Sequence, residues 1–331
     1  MNRKAIALIS GGLDSALAIH LVKRLGIEII GLHFTSFFSI ADPARDDSPV
    51  MVTARYLDVP VVFMEKGDDF LEVLRHPRYG YGKNFNPCID CRIYTFQKAK
   101  RFMEEQRASF LVTGEVLGQR PMSQRRDAMN LIEKRADCRG IVLRPLSAKR
   151  LAPTEPENAG IVDRESLLEV TGRGRKPQFQ LAADIGLTGY QAPAGGCLLT
   201  DPMFANRARD LLRDSESVSR EDLQLLNVGR HVRIRPGLKA IVGRNHKENE
   251  FIEARADAGT LFFPMHFPGP VVLAQGEVNG DEEKLLGGIL RRYAKPSVRG
   301  EEIGIRRRDG TVYQAGISCV TDEAWVADRL I

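Results

Sequence analysis

The hexapeptide S-G-G-L-D-S at positions 10–15 has residue types suited to binding a phosphate. A short apolar run at 5–9 precedes it, and residues 16–22 read as a helix. A strand-to-helix turn directs free backbone N–H groups and the positive end of the helix dipole toward one point. We therefore expect an anion there, and a phosphate group is the natural ligand.

Asp14 is unusual in such a turn, because a carboxylate repels a phosphate. A Mg²⁺ ion that bridges the two removes this conflict. We expect Gly11 and Gly12 to let the ligand approach the backbone, and Ser10 and Ser15 to donate hydroxyl hydrogen bonds. The turn is not a Walker loop, since the chain has no G-x-x-x-x-G-K-[ST]. The alternative is a glycine turn that caps a helix and binds nothing.

Cys88 and Cys91 have the spacing of metal ligands or of a redox pair. Residues 76–91 are rich in Gly, Pro and aromatic side chains, which predicts an ordered loop around both cysteines. Cys197 follows a predicted rigid turn that includes Pro193, Gly195 and Gly196. Three cysteines can ligate three irons of a 4Fe–4S cluster and leave the fourth iron open to hydrosulfide.

Two other uses of these cysteines remain open. One cysteine can carry a persulfide while another resolves it as a disulfide. Alternatively, Cys88 and Cys91 bind structural zinc or nothing, and Cys197 is a buried apolar residue. Cys138 and Cys319 have no evident partner and are expected to be structural.

Strands and helices alternate in the first half of the chain, which predicts an α/β fold with a doubly wound parallel sheet. The predicted strands are 5–9, 28–34, 59–63, 109–113 and 141–146. Ligands bind outside the carboxyl ends of such strands, where Thr113 and Gly114 follow the fourth one. These two residues indicate either a nucleotide-side loop or a turn that caps a helix.

The chain has 331 residues and a formal charge of +5, which suits about two domains and permits a polyanionic partner. We predict one domain at 1–213 and a smaller α+β domain at 223–331. Five cysteines, an odd number, favour a reducing compartment. No apolar run is long enough to span a bilayer and no signal-peptide cleavage site is evident, so we expect a cytoplasmic protein without a membrane partner.

Several motifs resemble known families. The hexapeptide at 10–15 resembles the S-G-G-x-D-S signature of the PP-loop ATP pyrophosphatases. T-G-E-V-L-G-Q at 113–119, with Ser123-Gln124, and L-R-P-L at 143–146 resemble ThiI-type tRNA 4-thiouridine synthases. N-P-C-I-D-C at 86–91 is similar to the cysteine loop of 2-thiouridylases, and the later lone cysteine resembles the iron–sulfur pattern of 2-thiocytidine enzymes.

The resemblance covers roughly residues 4–201 and implies a PP-loop fold like that of the adenine nucleotide alpha hydrolases, with ATP and Mg²⁺. The nucleotide site it implies consists of Ser10, Gly11, Gly12, Leu13, Asp14, Ser15, Ser36, Thr113 and Gly114. In the implied reaction, AMP is transferred to a uridine carbonyl oxygen of tRNA and sulfur then displaces it, giving 4-thiouridine. Asp14 would bind Mg²⁺, and Cys88, Cys91 and Cys197 would act in catalysis and hold a 4Fe–4S cluster. The sulfur donor would be sulfide or a persulfide carrier such as a cysteine desulfurase.

ThiI-type enzymes carry an RNA-binding region before the PP-loop, whereas here basic residues and aromatics accumulate near the C-terminus. This C-terminal region resembles the NFACT-type RNA-binding domain. The residues expected to contact the RNA backbone are Arg230, Arg233, Arg235, Lys239 and Arg244. The alternative is a solvated, salt-bridged surface, since Asp and Glu are interleaved with them.

Three other functions remain possible from the sequence. The first is a PP-loop enzyme that adenylates a small molecule and transfers nitrogen, and the second is a 2-thiouridylase. The third is a non-catalytic RNA-binding protein stabilised by a metal site.

Overall fold

The computed structural model describes residues 1–36, 38–39, 42–190, 197–295, 302–317 and 319–331. The chain forms two compact units, Met1–Cys197 and Leu198–Ile331. No helix in the described ranges combines the length and the apolar character needed to cross a bilayer.

The first unit is built on a five-stranded parallel sheet with the order β3-β2-β1-β4-β5. Its strands are β1 (Lys4–Leu8), β2 (Glu28–Thr35), β3 (Val61–Glu65), β4 (Phe110–Thr113) and β5 (Val142–Leu143). Its helices are α1 (Leu13–Lys23), α2 (Pro49–Leu57), α3 (Asp69–Arg75), α4 (Cys88–Glu105), α5 (Arg126–Arg135), α6 (Glu155–Asn158) and α7 (Lys176–Asp184). The predicted α/β fold with a parallel sheet is confirmed.

The central strand β1 is buried on both faces over residues 5–7, which explains the apolar sequence that follows Lys4. Ala5 and Ala7 pack in one core with residues of α1, α2 and α7. Ile6 faces the opposite side, in a second core with Phe96 and Ile132 from α4 and α5. The sheet is therefore covered by helices on both sides, as a doubly wound fold requires.

Cys88 and Cys91 lie in a helix and not in the loop predicted for residues 76–91. The predicted loop ends at Pro87, and Cys88 begins α4, so both cysteines lie in the first helical turn. The carboxylate of Asp90, in the same turn, accepts backbone N–H bonds from Arg78 (3.1 Å) and Tyr79 (3.0 Å). These bonds tie the preceding loop to the helix, a long-range effect that the local Gly and Pro content does not reveal.

The second unit is a six-stranded antiparallel sheet with the order β11-β10-β8-β9-β7-β6 and surrounding helices. Its strands are β6 (Arg230–Arg235), β7 (Leu238–Val242), β8 (Thr260–Pro264), β9 (Val272–Gln275), β10 (Glu302–Arg306) and β11 (Val312–Gly316). Its helices are α8 (Pro202–Asp214), α9 (Arg220–Leu225), α10 (His246–Glu253), α11 (Gly280–Tyr293) and α12 (Glu323–Asp328). This is the predicted α+β architecture.

The division between the units lies upstream of the expected one, because α8 belongs to the second unit. Arg233 on β6 pairs with Asp210 at 2.5 Å and with Asp214 at 2.7 Å, both on α8. Arg207, also on α8, donates to the carbonyl of Leu226 at 3.1 Å. These polar contacts bind the helix to the antiparallel sheet.

Candidate active site

The turn between β1 and α1 holds its shape through its own hydroxyl groups. Gly12, with an extended backbone, caps α1. The hydroxyl of Ser15 donates to the Gly12 carbonyl at 2.9 Å, and its oxygen lies 3.0 Å from that of Ser10. The Gly12 N–H in turn donates to the Ser10 oxygen at 3.3 Å. Both serines therefore organise the turn, in addition to the donor role predicted for them.

Glycine is required at positions 11 and 114 for different structural reasons. Gly11 has a φ of +72°, and a Cβ there would lie 2.7 Å from the backbone nitrogen of Val50 at the start of α2. A Cβ on Gly114 would lie 2.5 Å from the backbone of Asp14 and of Ser15. Gly11 thus allows the close packing of α2 against the turn at 10–15, whereas Gly114 lets β4 end directly beneath this turn.

A cavity of about 440 Å³ opens at the carboxyl ends of the parallel strands. The predicted site residues that line it are Ser10, Gly12, Leu13, Asp14, Ser15, Cys88, Cys91, Thr113 and Gly114. Gly11, Ser36 and Cys197 are not among the described residues that line it. From β2 the cavity takes His33 and Phe34, while Ser36 accepts a hydrogen bond from the backbone of Phe38.

Asp14 is held from one side only. Its Oδ2 accepts a hydrogen bond from Gln119 Nε2 at 2.6 Å and lies 3.9 Å from Nε of Arg175. Its Oδ1 is buried and has no hydrogen-bond partner among the described residues. Asp14 lines the cavity, and a carboxylate oxygen that no donor engages has the chemistry of a Mg²⁺ ligand. The site therefore fits the metal that the fold family implies.

The two cysteines enter the same cavity from the first turn of α4. Nζ of Lys66 lies 3.1 Å from Sγ of Cys91 and 4.4 Å from the ring centroid of Phe70. The backbone of Cys91 accepts a bond from Thr95 Oγ1 at 2.7 Å. The ammonium of Lys66 therefore donates a hydrogen bond to the sulfur of Cys91 at the cavity.

The chain matches two known families along its length. Residues 1–150 match the family described as thiamine biosynthesis protein (ThiI). Residues 229–323 match the NFACT protein RNA binding domain. The chain joins a ThiI-type domain to an NFACT-type RNA-binding domain. Both resemblances predicted from the sequence are thereby confirmed.

Two relatives of known description each match part of the chain. The tRNA-specific 2-thiouridylase MnmA of Petrotoga mobilis is 26% identical over 136 residues, which are 35% of this chain and 36% of the relative. The Probable tRNA sulfurtransferase of Thermococcus kodakarensis is 27% identical over 134 residues, 40% of this chain and 35% of the relative. The chain thus spans about a third of the length of these relatives.

Among solved structures, a 4-thiouridine synthetase–RNA complex with bound ATP aligns with a TM-score of 0.39 and 21% identity. This alignment covers 67% of the present chain and 52% of that chain.

Cys197, the third cysteine of the predicted cluster, is not among the described residues that line the cavity. Cys197 is exposed, whereas Cys88 and Cys91 line the cavity. In the ranges that the structure describes, no three His, Cys, Asp or Glu side chains are placed to hold a metal ion. The turn at 191–196, which includes Pro193, Gly195 and Gly196, lies outside the described residues.

Glu115 is a buried carboxylate that forms ion pairs with two arginines. It lies 2.6 Å from Arg92, which lines the cavity, and 3.0 Å from the buried Arg144. Burial alone would raise the pKa of Glu115, but the charges of Arg92 and Arg144 outweigh it and lower the pKa overall. The carboxylate therefore stays ionised and orients Arg92 toward the cavity.

Sequence reasoning missed several residues of this site, namely Lys66, Arg92, Gln119 and Arg175. Lys66 follows the third strand at its carboxyl end, where ligand-binding residues collect, and Gln119 lies within the T-G-E-V-L-G-Q segment. The sequence positions of Lys66 and Gln119 would therefore have allowed both to be predicted as site residues. Arg175 lies in a stretch without clear periodicity, and only the folded chain brings it to Asp14.

In the NFACT-type unit, the predicted RNA contacts differ in exposure. Lys239 is only 3% exposed, so its side chain has little access to an RNA backbone, and the same burial lowers its pKa to about 8. Arg233 pairs with the two aspartates of α8, as described above. Arg235 pairs with Glu282 at 2.6 Å and Arg244 with Glu248 at 2.5 Å.

Arg230 differs from these residues. Its guanidinium lies 4.6 Å from the ring centroid of Tyr293. It has no carboxylate partner within the described ranges, which makes it the most available of the five predicted RNA contacts.

Proposed function

We propose that this protein is an ATP-dependent tRNA sulfurtransferase that adenylates a uridine carbonyl oxygen and replaces it with sulfur. One observation carries the proposal: the phosphate turn at 10–15 and both Cys88 and Cys91 line a single cavity. Activation by AMP and delivery of sulfur must act on the same carbon atom, so they need one shared site.

In the adenylation step, the turn would bind the phosphates of ATP through its backbone N–H groups. Mg²⁺ held by Oδ1 of Asp14 would neutralise phosphate charge. Arg175, which also lines the cavity, would add a positive charge next to the phosphates. The uridine oxygen then attacks the α-phosphorus, and pyrophosphate leaves.

In the sulfur step, a donor leaves a persulfide on Cys91, whose sulfur lies 3.1 Å from the ammonium nitrogen of Lys66. The terminal sulfur attacks the carbon that bears AMP, and AMP departs with the bonding electron pair. The thiolate of Cys88 then attacks the sulfur of Cys91. Thiouridine is released, and the resulting disulfide is reduced by an external dithiol.

The three-cysteine 4Fe–4S cluster remains the competing prediction for sulfur delivery. Iron and sulfide counts on anaerobically purified protein and its Cys197→Ala variant decide between the two. Iron that is lost in the variant would favour the cluster. An iron-free wild type that still thiolates tRNA would favour the persulfide route.

We assign tRNA binding to the NFACT-type unit and 4-thiouridine as the product, on the strength of the two family matches. A 2-thiouridine product is the second candidate, because MnmA enzymes are among the relatives. We expect the protein to act in the cytoplasm.

The test is a reaction with ATP, Mg²⁺, unmodified tRNA and a persulfide donor, followed by mass spectrometry of the nucleosides and measurement of AMP. Asp14→Asn is expected to lose both AMP formation and thiolation. Cys91→Ser is expected to keep AMP formation and lose thiolation. Cys319→Ser, at an exposed cysteine of the other unit, is the matched control.

Other outcomes would point to the remaining functions. AMP formation that needs a small molecule instead of tRNA would replace this proposal with nitrogen transfer. RNA binding without any AMP formation would leave a non-catalytic RNA-binding protein.

A further inference from the structure

A chain of buried amides connects α7 to the carboxylate of the phosphate turn. Nε2 of Gln178 donates to Oε1 of Gln119 at 3.0 Å, and Nε2 of Gln119 donates to Oδ2 of Asp14 at 2.6 Å. Gln178 is 1% exposed and Gln119 is 7% exposed. Water therefore has little access to either amide.

The charge of Asp14 fixes the direction of these two hydrogen bonds. An ionised carboxylate only accepts hydrogen bonds, so Gln119 must turn its NH₂ group toward Asp14. Its oxygen then faces Gln178, which must present its own NH₂ group. The two amides thus have one compatible orientation, and it follows from the charge on Asp14.

This arrangement occupies one oxygen of Asp14 and leaves the other available. Oδ2 is held by Gln119, while Oδ1 is buried and unpaired among the described residues. A carboxylate that is fixed through one oxygen presents the second in a constant direction, which is what a metal ligand needs.

We propose that Gln178 is a positioning residue that, through Gln119, aims the free oxygen of Asp14 at the metal of the nucleotide site. The inference rests on the proposed function, since it presumes that a metal–nucleotide complex binds there. Gln178 lies in α7, outside residues 1–150 that match the ThiI family, so this helix extends the site beyond the matched segment. Ala182, one turn further on, packs in the core with α1 residues and fixes the helix in place.

The test measures Mn²⁺ binding by electron paramagnetic resonance in the presence of a non-hydrolysable ATP analogue. Gln178→Met keeps the length of the side chain and removes the amide. It is expected to weaken Mn²⁺ binding about tenfold, as the loss of a group that orients a metal ligand does. Gln180→Leu, on the exposed side of the same helix, is the matched control and is expected to bind Mn²⁺ like the wild type.

A second readout separates positioning from a general structural defect. At saturating Mn²⁺, AMP formation by Gln178→Met is expected to return to within about twofold of the wild type, because only metal affinity is reduced. Gln119→Leu, which breaks the same chain at its other link, is expected to behave alike and serves if the first variant does not fold.

The outcomes are distinguishable. If Gln178→Met and Gln119→Leu bind Mn²⁺ as tightly as Gln180→Leu, the inference is wrong while the proposed function stands. If the wild type binds no Mn²⁺ with the nucleotide analogue, the proposed nucleotide site itself is wrong, and the inference falls with it.

Discussion

The ammonium nitrogen of Lys66 lies 3.1 Å from the sulfur of Cys91. Lys66 follows β3, whereas Cys91 lies in the first turn of α4, so the pair joins two separate elements at the cavity. The contact of Lys66 with the ring of Phe70 restricts where its ammonium can go. Cys91 therefore has a cation in direct hydrogen-bond contact with its sulfur.

We predict that Lys66→Met lowers the rate of Cys91 alkylation by iodoacetamide at neutral pH about fivefold, because the sulfur loses the cation that contacts it. Mass spectrometry of the peptide that contains Cys91 measures the rate. Lys134→Met, at an exposed lysine of α5, is the control and is expected to leave the rate unchanged. An unaltered rate in Lys66→Met would contradict the activating role.

Glu115 is expected to be the most sensitive ionic residue of the first unit. Glu115→Gln leaves Arg92 and Arg144 without their shared carboxylate, and removal of one member of a buried ion pair costs about 3–5 kcal/mol. Urea unfolding measures the loss. Glu104→Gln, at a half-exposed glutamate of α4, is expected to change the free energy of unfolding by less than about 1 kcal/mol. Similar losses of unfolding free energy in the two variants would contradict the role of Glu115 as the shared carboxylate of Arg92 and Arg144.

The same residue predicts a pH dependence. The folded pKa of Glu115 is lowered, so its stabilisation is complete above its ordinary pKa of 4.5 and is lost as the pH falls through the folded value. Between pH 5 and pH 3, the wild type is thus expected to lose more unfolding free energy than Glu115→Gln. Urea titrations across this range measure the difference, and parallel losses would refute the assignment.

Gly114 tests the packing beneath the phosphate turn. In Gly114→Ala, the new Cβ would lie 2.5 Å from backbone atoms of Asp14 and Ser15, so the turn must shift. Because a small misplacement of such a turn is costly, we expect affinity for a fluorescent ATP analogue to fall more than about tenfold. Gly174→Ala, where no described atom lies within 4 Å of the added Cβ, is the control. Retained affinity in Gly114→Ala would show that the turn tolerates the shift.

Lys239 is expected to reduce the stability of the second unit. Burial lowers its pKa from 10.5 to about 8, so the charged form is disfavoured in the folded state. We predict that Lys239→Met raises the free energy of unfolding at pH 7 by about 2 kcal/mol. Wild-type stability rises relative to the variant between pH 8 and 10.5, where the unfolded chain binds more protons than the folded one, so the gain shrinks there. Urea unfolding at pH 7 and between pH 8 and 10.5 measures the difference in unfolding free energy between the variant and the wild type. Lys247→Met, at an exposed lysine, is the control.

Substitutions of Arg230 and of Lys239 are expected to have different effects on RNA binding. Arg230→Gln is predicted to weaken RNA binding about threefold and to reduce the salt slope by about one, as the loss of one phosphate contact does. Lys239→Met is expected to leave both unchanged because its side chain is buried. Filter binding between 50 and 200 mM salt, about the range in which phosphate contacts dominate, measures both effects. Equal effects of the two substitutions would contradict this assignment.

The sequence by itself determined the phosphate turn, the parallel sheet and the two-part organisation. Each depends on local information: an apolar strand, a glycine turn and a helix in direct succession, or alternating patterns along the chain. The family resemblance also predicted a common site for Asp14, Cys88 and Cys91, and all three line one cavity in the structure.

Only the tertiary structure decided which side chains act on these residues. Gln119 bonds to Asp14 across 105 positions of the sequence, and Lys66 reaches Cys91 across 25. Likewise, the burial of Lys239 depends on the strands and helices packed around β7, whereas its own neighbours in the sequence suggest an exposed basic strand. Contacts between distant segments follow from how the elements pack, and no local pattern records them.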